Sequence, residues 1–309
     1  MGRTSALGLA CSLALGGCGN EIVLGDSLSV LPTPQGGSTS ASSGTTGGGV
    51  ANNASGAAGS GAAGSGAAGS GAAGSTSNPP EPLPSPGALL WSTDHEVGDF
   101  SDWERGGEAL GGEYEWGEVN AYVDIGVGLE GSNGIVADIN TKSRGETSAG
   151  VRLYRRVHDG PAFYSAWFRL EEAHTVTDWW SIFLFHARDD SLSLDNDVSL
   201  WDVRVVDTPG GEMSLQFFDH DTMTGTLASR AGRVVPGEWF ELRAYLDYRP
   251  PNGTRLAVWA GDTLLFDMKE LHTDVQNNVY WCIGNGAAEL DPIDSMLYMD
   301  DAAMRKAAP

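Results

Sequence analysis

Cysteine is scarce in this chain of 309 residues, which contains three: Cys11, Cys18 and Cys282. The first two lie close to the amino terminus, so the rest of the sequence carries one thiol and cannot close an internal disulfide. A folded domain there must be stabilised by its hydrophobic core. Because Cys282 lies within an apolar run, residues 279–283, we expect it to pack as a small hydrophobic side chain.

Basic residues are also scarce. The chain has 18 Lys and Arg against 41 Asp and Glu, which gives a net charge of −23 at pH 7. Most of the charged residues follow residue 87. Repulsion between such a surface and phosphate groups disfavours binding to nucleic acid and non-specific adhesion to anionic lipid. We therefore expect no nucleic-acid partner, and membrane contact through a lipid anchor alone.

The amino terminus lacks a hydrophobic segment of membrane-spanning length, because the apolar residues 6–15 that follow Arg3 are too few. This arrangement is typical of a secretory signal peptide. The segment ends in Leu-Gly-Gly-Cys18, which resembles the bacterial lipobox. The resemblance implies a signal peptide at residues 1–17, a lipidated Cys18, and a location at the outer membrane or cell surface. An ordinary signal peptide with an incidental cysteine is the alternative.

Aromatic residues are absent, and charge is almost absent, between residues 31 and 87. Within this region Ser-Gly-Ala-Ala-Gly recurs four times, between residues 55 and 74. Such a composition buries too little apolar surface to offset the entropy lost on ordering. We therefore expect residues 18–87 to comprise the lipidated cysteine and a disordered linker, with a Pro-rich, extended end at residues 78–86.

The remaining residues, 88–309, consist of short runs rich in Val, Leu, Phe, Trp and Tyr. Gly, Pro, Asn and Asp separate these runs, which is typical of β-strands. A short helix is an alternative for residues 267–271. The predicted strands are residues 150–157, 163–170, 180–187, 200–206, 213–218, 239–248, 255–260, 263–267, 279–283 and 296–300. This many short strands predict an all-β domain, a β-sandwich or jelly roll.

Alternation along the predicted strands assigns side chains to faces. In residues 180–187, Phe183 and Phe185 share one face. The other face carries Trp180, Ile182, Leu184 and His186. If the strands are neighbours, one sheet presents arginines, aromatic rings and histidines together. The candidate carbohydrate-binding residues are Arg152, Tyr154, Arg156, His158, Trp167, Arg169 and Trp180.

Such a face suits a saccharide, because aromatic rings stack on sugar C–H groups while Arg and His bind hydroxyls or carboxylates. The pattern thus predicts an acidic or hydroxyl-rich polysaccharide as the partner, held in a concave sheet. The alternative is a solvent-facing sheet whose arginines pair with Asp202, Glu241 or Asp247.

Several segments, in order along the chain, resemble heparin-lyase-like polysaccharide lyases. These are residues 90–103, 164–168, 179–183, 236–239, 263–267 and 298–302. The resemblance covers nearly all of residues 88–309 and implies a concanavalin A-like jelly roll. It is weaker evidence for activity, because function resides in the site.

Lyases of this fold cleave uronate polymers by β-elimination, with a group that neutralises the carboxylate, a base for the C5 proton and an acid for the leaving oxygen. The family carries these groups on the motifs Arg-x-Glu, Gln-x-His and Tyr-x-Lys-x-Gly-x-Tyr. Arg144 and Glu146 fit the first motif. His186 fits the second, in which Leu184 replaces the glutamine.

In the third motif Tyr280 and Gly284 match, whereas Cys282 replaces the lysine and Gly286 the second tyrosine. The resemblance thus implies that Arg144, His186 and Tyr280 are the catalytic residues. Leu184 in place of glutamine removes a hydrogen-bonding amide, and Cys282 in place of lysine removes a positive charge, so enzymatic activity is left open. Binding without turnover is the leading hypothesis, followed by an active lyase and by a structural or adhesive surface protein.

Two further sets of acidic residues are candidates for chemistry. Glu289, Asp291 and Asp294 approach the paired carboxylates of a glycoside hydrolase, but Pro292 among them predicts a loop. The candidate metal ligands, at the ends of the first and last strands, are Asp94, Glu96, Asp300 and Asp301.

In the resembling sandwiches these two strand ends run side by side, often around a structural Ca2+. Four carboxylates with backbone carbonyls would satisfy the six to eight oxygen ligands of calcium. The alternative is a solvated acidic edge that discourages association between sheets. The adjacent His95 is expected at the surface.

Overall fold

The computed structural model describes residues 82–104, 113–142, 147–187, 198–251, 253–275 and 278–309. Sixteen strands and two 3-10 turns, Leu129–Gly131 and Arg230–Gly232, occur in these ranges, with no α-helix among them. The strands are β1 (Pro86–Thr93), β2 (Glu113–Trp116), β3 (Glu118–Asp124), β4 (Gly134–Asn140), β5 (Ser148–Arg156), β6 (Ala162–Leu170), β7 (Thr175–Ala187), β8 (Val198–Asp207), β9 (Met213–Asp219), β10 (Thr224–Leu227), β11 (Arg233–Val234), β12 (Phe240–Asp247), β13 (Thr254–Ala260), β14 (Thr263–Leu271), β15 (Val279–Asp291) and β16 (Asp294–Ala307).

The strands form two antiparallel sheets. Sheet I has the order β14-β13-β12-β6-β16-β4-β3, and β1 pairs with the second half of β16. Sheet II has the order β10-β9-β8-β7-β15-β5-β2, and β11 pairs with β9. The predicted all-β sandwich is therefore confirmed. None of the described helices has the length and apolar character needed to cross a membrane.

The hydrophobic core lies between the inner faces of the sheets. Alternate residues of β6 point into it from sheet I, including Tyr164 and Phe168. Phe183 and Trp281 pack against them from sheet II, and the ring centroids of Phe183 and Trp281 are 5.6 Å apart. Cys282 is not part of this core but is fully buried on the other face of sheet II, as a small side chain among apolar neighbours.

All ten predicted strands overlap observed ones, but two local assignments were wrong. Residues 267–271 continue β14 because they pair with β13, so no helix forms there. The segment from Glu289 to Asp294 is not a loop: β15 runs to Asp291, and β16 starts at Asp294. Pro292 lies between these strands, where it removes no donor from the ladder.

An irregularity in β7 decides which side chains of sheet II face the core. Relative to β8, β7 contains one extra residue, Ile182, between the pairs Ser181–Arg204 and Phe183–Val203. The alternation therefore breaks, and Ile182 and Phe183 both enter the core. Trp180 consequently lies in the core as well, with no exposed surface, and its predicted assignment to the outer face was wrong.

The neighbouring strand β15 is irregular at the same height, and Asn285 there connects the two sheets. Its side chain is fully buried and accepts a hydrogen bond from Trp180 Nε1 at 2.7 Å. Its amide nitrogen donates to the carbonyls of Ala137 in β4 (2.9 Å) and Ser295 in β16 (3.2 Å). One polar side chain thus satisfies three buried groups across the core.

Replacing Asn285 with alanine is expected to lower the free energy of unfolding by about 3 kcal/mol, because it leaves buried polar groups without partners. Urea denaturation of the two proteins measures the change. Asn120→Ala, at an exposed position of β3, is the matched control and is expected to change stability little. Equal stability of Asn285→Ala and the control would contradict this assignment.

Candidate functional site

Four polar side chains lie side by side on the outer face of sheet II, the face directed away from sheet I. Tyr280 in β15 pairs with Arg156 in β5 on one side and with His186 in β7 on the other. His186 in turn pairs with Ser199 in β8. We call Arg156, Tyr280, His186 and Ser199 the Tyr280 row. The structure therefore makes two of the three predicted catalytic residues, His186 and Tyr280, direct neighbours.

The contacts within the row are close. The Arg156 guanidinium carbon is 5.6 Å from the centroid of the Tyr280 ring, and Nη2 lies 3.5 Å from the Tyr280 hydroxyl. The same Nη2 donates to Asn278 Oδ1 at 2.6 Å. At the other end Ser199 Oγ is 3.5 Å from His186 Nε2. Arg156 is thereby held over the phenol, with its positive charge next to the hydroxyl.

Burial differs along the row. His186, Tyr280 and the adjacent Tyr154 have no exposed surface, whereas Arg156 is exposed. Tyr154 lies edge-on to both of its neighbours, with ring centroids 6.3 Å from Tyr280 and 6.4 Å from His186. A ligand therefore meets the row first at Arg156.

A cavity of about 530 Å³ opens at that end of the row, where the connections next to β5, β12 and β15 converge. Its lining includes Arg156, His158 and Asn278. Two of the predicted carbohydrate-binding residues, Arg156 and His158, thus share one cavity. The third predicted catalytic residue, Arg144, lies outside the described residues.

The predicted carbohydrate-binding residues do not all share one face. Arg152, Tyr154 and Arg156 lie on the outer face of sheet II because they alternate with core residues of β5. Trp167 and Arg169 lie on the outer face of sheet I, because the chain crosses from sheet II to sheet I between β5 and β6. The prediction of a single sheet face was therefore wrong for these two residues.

On sheet I, Arg169 packs against aromatic rings instead of lining the Tyr280 row. Its guanidinium carbon is 4.1 Å from the ring centroid of Tyr298 and 5.2 Å from that of Trp239. This packing places Arg169 on the opposite side of the sandwich from Arg152 and Arg156.

A buried charged cluster on the outer face of sheet II was not predicted. Asp202 in β8 accepts hydrogen bonds from Ser181 Oγ (2.6 Å) and Arg204 Nε (2.9 Å), and its other oxygen contacts His220 Nε2. Burial by itself would raise the pKa of Asp202. Hydrogen bonds from His220 and Ser181, with the charges of His220 and Arg204, outweigh burial and lower that pKa below its usual range.

Sequence reasoning treated Asp202 as a generic partner for arginines, and it missed His220 because His220 lies beyond the end of β9. A second set that it missed is aromatic: Tyr114 and Trp116 alternate along the short strand β2 on this same face. The Tyr-Glu-Trp pattern of residues 114–116 was the available signal.

The four predicted metal ligands do not form a metal-binding group. Asp300 is fully buried, and its Oδ2 accepts hydrogen bonds from the Leu129 amide and the Ser132 hydroxyl, both at 2.7 Å. Its Oδ1 accepts from the Asp301 amide at 2.8 Å and contacts His95 Nδ1 at 3.4 Å. Asp300 therefore anchors a loop and a strand end through its own hydrogen bonds.

The other three acidic residues of this set lie in two places. Glu96 accepts a hydrogen bond from the Asn133 amide, whereas Asp94 and Asp301 line one cavity together. Among the described residues no group of three or more His, Cys, Asp or Glu side chains is arranged to hold a metal ion. Calcium binding stays a prediction, without support from this geometry. His95, expected at the surface, is buried.

No protein-family model and no curated protein sequence matches this chain. Among solved structures, the endo-β-1,4-glucuronan lyase from the fungus Trichoderma reesei is similar, with 12% identity, a TM-score of 0.54, and coverage of 71% of this chain and 96% of that one. An alginate lyase Aly36B mutant in complex with alginate trisaccharide has 14% identity and a TM-score of 0.47, covering 72% and 99% of the two chains. The cellulose-induced protein Cip1 has 14% identity and a TM-score of 0.46, covering 70% and 97%.

The glucuronan lyase likeness establishes the class of fold, a β-sandwich of the kind that polysaccharide lyases use. At this identity it shows the fold alone, so the activity must be argued from the residues of the site.

Asp202→Asn is expected to lower the free energy of unfolding near pH 7 by about 3 kcal/mol, because it removes the charge that Arg204 and His220 surround. Since folding lowers the pKa of Asp202, its ionised form stabilises the native state above about pH 4, and that stabilisation is lost as the pH falls. The stability gap between wild type and variant should therefore narrow below about pH 4. Urea denaturation across this pH range measures the gap, with the exposed Asp262→Asn as control. A difference in stability between wild type and Asp202→Asn that does not change with pH would contradict the stabilising role of the ionised Asp202.

Proposed function

We propose that residues 88–309 form a carbohydrate-recognition domain that binds an acidic polysaccharide along the outer face of sheet II. The observation that carries this proposal is the placement of Arg152 and Arg156 on one strand face, next to Tyr280, in a chain of net charge −23. Arginines on an otherwise acidic protein create a local positive potential, and this potential attracts an anion at short range. The β-sandwich shared with the glucuronan lyase supports the proposal at the level of the fold.

The chemistry of the face suits a uronate chain. A guanidinium donates two parallel hydrogen bonds to a carboxylate, which gives geometric selectivity as well as charge neutralisation. Arg156 lies at the mouth of the cavity that also contains His158 and Asn278, whose side chains are hydrogen-bonding partners for sugar hydroxyls. The polymer would therefore enter from this end and extend along β5.

Arg156→Gln is expected to weaken binding of uronate polysaccharides about tenfold, because one charge-assisted contact is lost. Retention of the full chain on gels that contain each polymer, followed by calorimetric titration, measures the affinity. Arg233→Gln is the control, since it makes the same charge change at an exposed position of β11. Equal affinities of the two variants would contradict a role for Arg156.

Lyase activity is a second candidate function, favoured by the direct pairing of His186 and Tyr280. In β-elimination an arginine would neutralise the uronate carboxylate, and His186 would take the C5 proton. The C4–O4 bond would break as the C4=C5 double bond forms, and Tyr280 would return a proton to O4. Arg144 and its neighbours are the proposed source of positive charge.

Two observations favour binding over turnover. His186 and Tyr280 have no exposed surface, so a C5 proton cannot reach them without local rearrangement. The positions beside them carry Leu184 and Cys282, which pack against each other and offer neither an amide nor an ammonium group to a carboxylate. We therefore place the binding hypothesis first.

The wild-type chain is expected to retain a uronate polymer without producing unsaturated uronate ends. The ultraviolet absorbance of the conjugated product, followed over time during incubation with each polymer, measures turnover. An increase in absorbance that disappears in both His186→Ala and Tyr280→Phe would overturn this expectation and establish a lyase.

We also propose that the chain is exported and anchored at the outer membrane or cell surface by lipid on Cys18, which lies outside the described residues. The lipobox-like residues 15–18 support this proposal. Metabolic labelling with a fatty acid is expected to mark the wild-type chain and not Cys18→Ser. Equal labelling of both, or of neither, would contradict lipidation at this position.

A further inference from the structure

A group of aromatic residues lies on the outer face of sheet II, beyond Arg152 from the Tyr280 row. Tyr114 and Trp116 in β2 stack with ring centroids 5.8 Å apart and an interplanar angle of 25°. Trp179 in β7 approaches the same patch of backbone from the other side. All three are partly exposed. We call Tyr114, Trp116, Trp179 and Arg152 the Trp116 platform.

Glycines hold Trp116 flat against the sheet. Its ring lies over Gly150 in β5, where a Cβ would meet Trp116 Cη2 at 2.3 Å, and over Gly286 in β15, where the distance would be 2.8 Å. A Cβ at Gly286 would also lie 3.6 Å from Trp179. Any side chain at these two positions would lift the indoles from the backbone. The sequence therefore builds a flat aromatic surface across three neighbouring strands.

Arg152 differs from most other arginines of the sandwich in having no acidic partner. Arg155, Arg204 and Arg255 each contact a carboxylate at 2.8–3.2 Å. Within the described part of the chain, the Arg152 side chain makes no hydrogen bond or ion pair, and its guanidinium carbon lies 4.8 Å from the centroid of the Trp116 ring. The indole face orients the guanidinium and leaves the N–H donors at its edge available for a ligand.

We propose that the Trp116 platform is a subsite for one uronate residue of the polysaccharide. The carboxylate binds the edge of the Arg152 guanidinium, and the C–H face of the pyranose rests on the partly exposed aromatic surface, at Trp179. This inference rests on the proposed function and names its ligand more closely. It assigns roles to Tyr114, Trp116 and Trp179, which lie outside the Tyr280 row.

The distance between Arg152 and Arg156 favours a polymeric ligand over a monosaccharide. Arg152 and Arg156 are four residues apart on the same face of β5, which corresponds to about 13 Å at about 3.3 Å per residue. This separation exceeds the length of a single pyranose residue. A chain that carries carboxylates at regular intervals can contact both arginines, whereas a monosaccharide reaches one of them.

Calorimetric titration of the full chain tests the subsite. The ligands are fragments of polyglucuronate, polygalacturonate and alginate, and the same fragments after reduction of their carboxyl groups to neutral alcohols. Arg152→Gln should weaken binding of the acidic polymer about tenfold and leave binding of its reduced form unchanged. Trp179→Leu should weaken both severalfold, because stacking does not depend on the carboxylate. Arg305→Gln, an exposed site on sheet I, is the matched charge control and should bind as wild type does.

The outcomes separate the two proposals. Binding of a polyuronate by the wild type, with equal affinities for Arg152→Gln and Arg305→Gln, overturns the subsite and leaves the proposed function standing. Failure of the wild type to bind every polyuronate overturns the proposed function and the subsite together. Circular dichroism and the unfolding midpoint establish that each variant is folded. If Trp179→Leu does not fold, the comparison of Arg152→Gln with Arg305→Gln decides the question alone.

Discussion

The extra residue in β7 determines which side chains of this central strand of sheet II are available to a ligand. Ile182 shifts the alternation of the strand by one position, so Phe183 and Phe185 pack in the core while Leu184 and His186 face outward. Opposite this point, Asn285 turns into the core and connects the two sheets by hydrogen bonds. The hydrogen bonds of Asn285 satisfy three buried polar groups and so offset the ladder hydrogen bonds lost at the irregularity. The same irregularity fixes which residues of β7 face the core.

The electrostatic character of the outer face is set on another strand, β5, which pairs with β15 in continuous register. On most of the molecule arginines and carboxylates neutralise one another, as in the cluster around Asp202. Along β5 the same residue type is presented differently: Arg152 lies on an indole ring and Arg156 on a phenol ring. An aromatic ring orients a guanidinium by a contact that is not an ion pair. Two arginines held in this way thus lie on one face of a strongly acidic protein.

Sequence patterns predicted the sandwich because ten of its strands are apolar and separated by turn residues. Strands β2, β3 and β10 bury too little surface to be recognised, whereas β4 was missed although it is largely buried. The pairing of His186 with Tyr280 was implied by a family resemblance, and the structure brings the two together. Trp180 and Trp167 were misplaced for different reasons. Trp180 was misplaced because a strict two-residue alternation does not allow for a bulge. Trp167 was misplaced because alternation assigns a side chain to a face but does not specify which sheet its strand joins.

The central claim is that an acidic polysaccharide lies across the outer face of sheet II. Nitrogen-15 spectra of the tryptophan indole groups, recorded during titration of the full chain with a uronate oligosaccharide, test it most directly. The account predicts that the signals of Trp116 and Trp179 shift in a saturable manner. The signal of Trp239, which packs against Arg169 of sheet I, should not shift. Saturable shifts confined to Trp239 and its neighbour Trp167 would place the ligand on the opposite side of the sandwich and contradict the account.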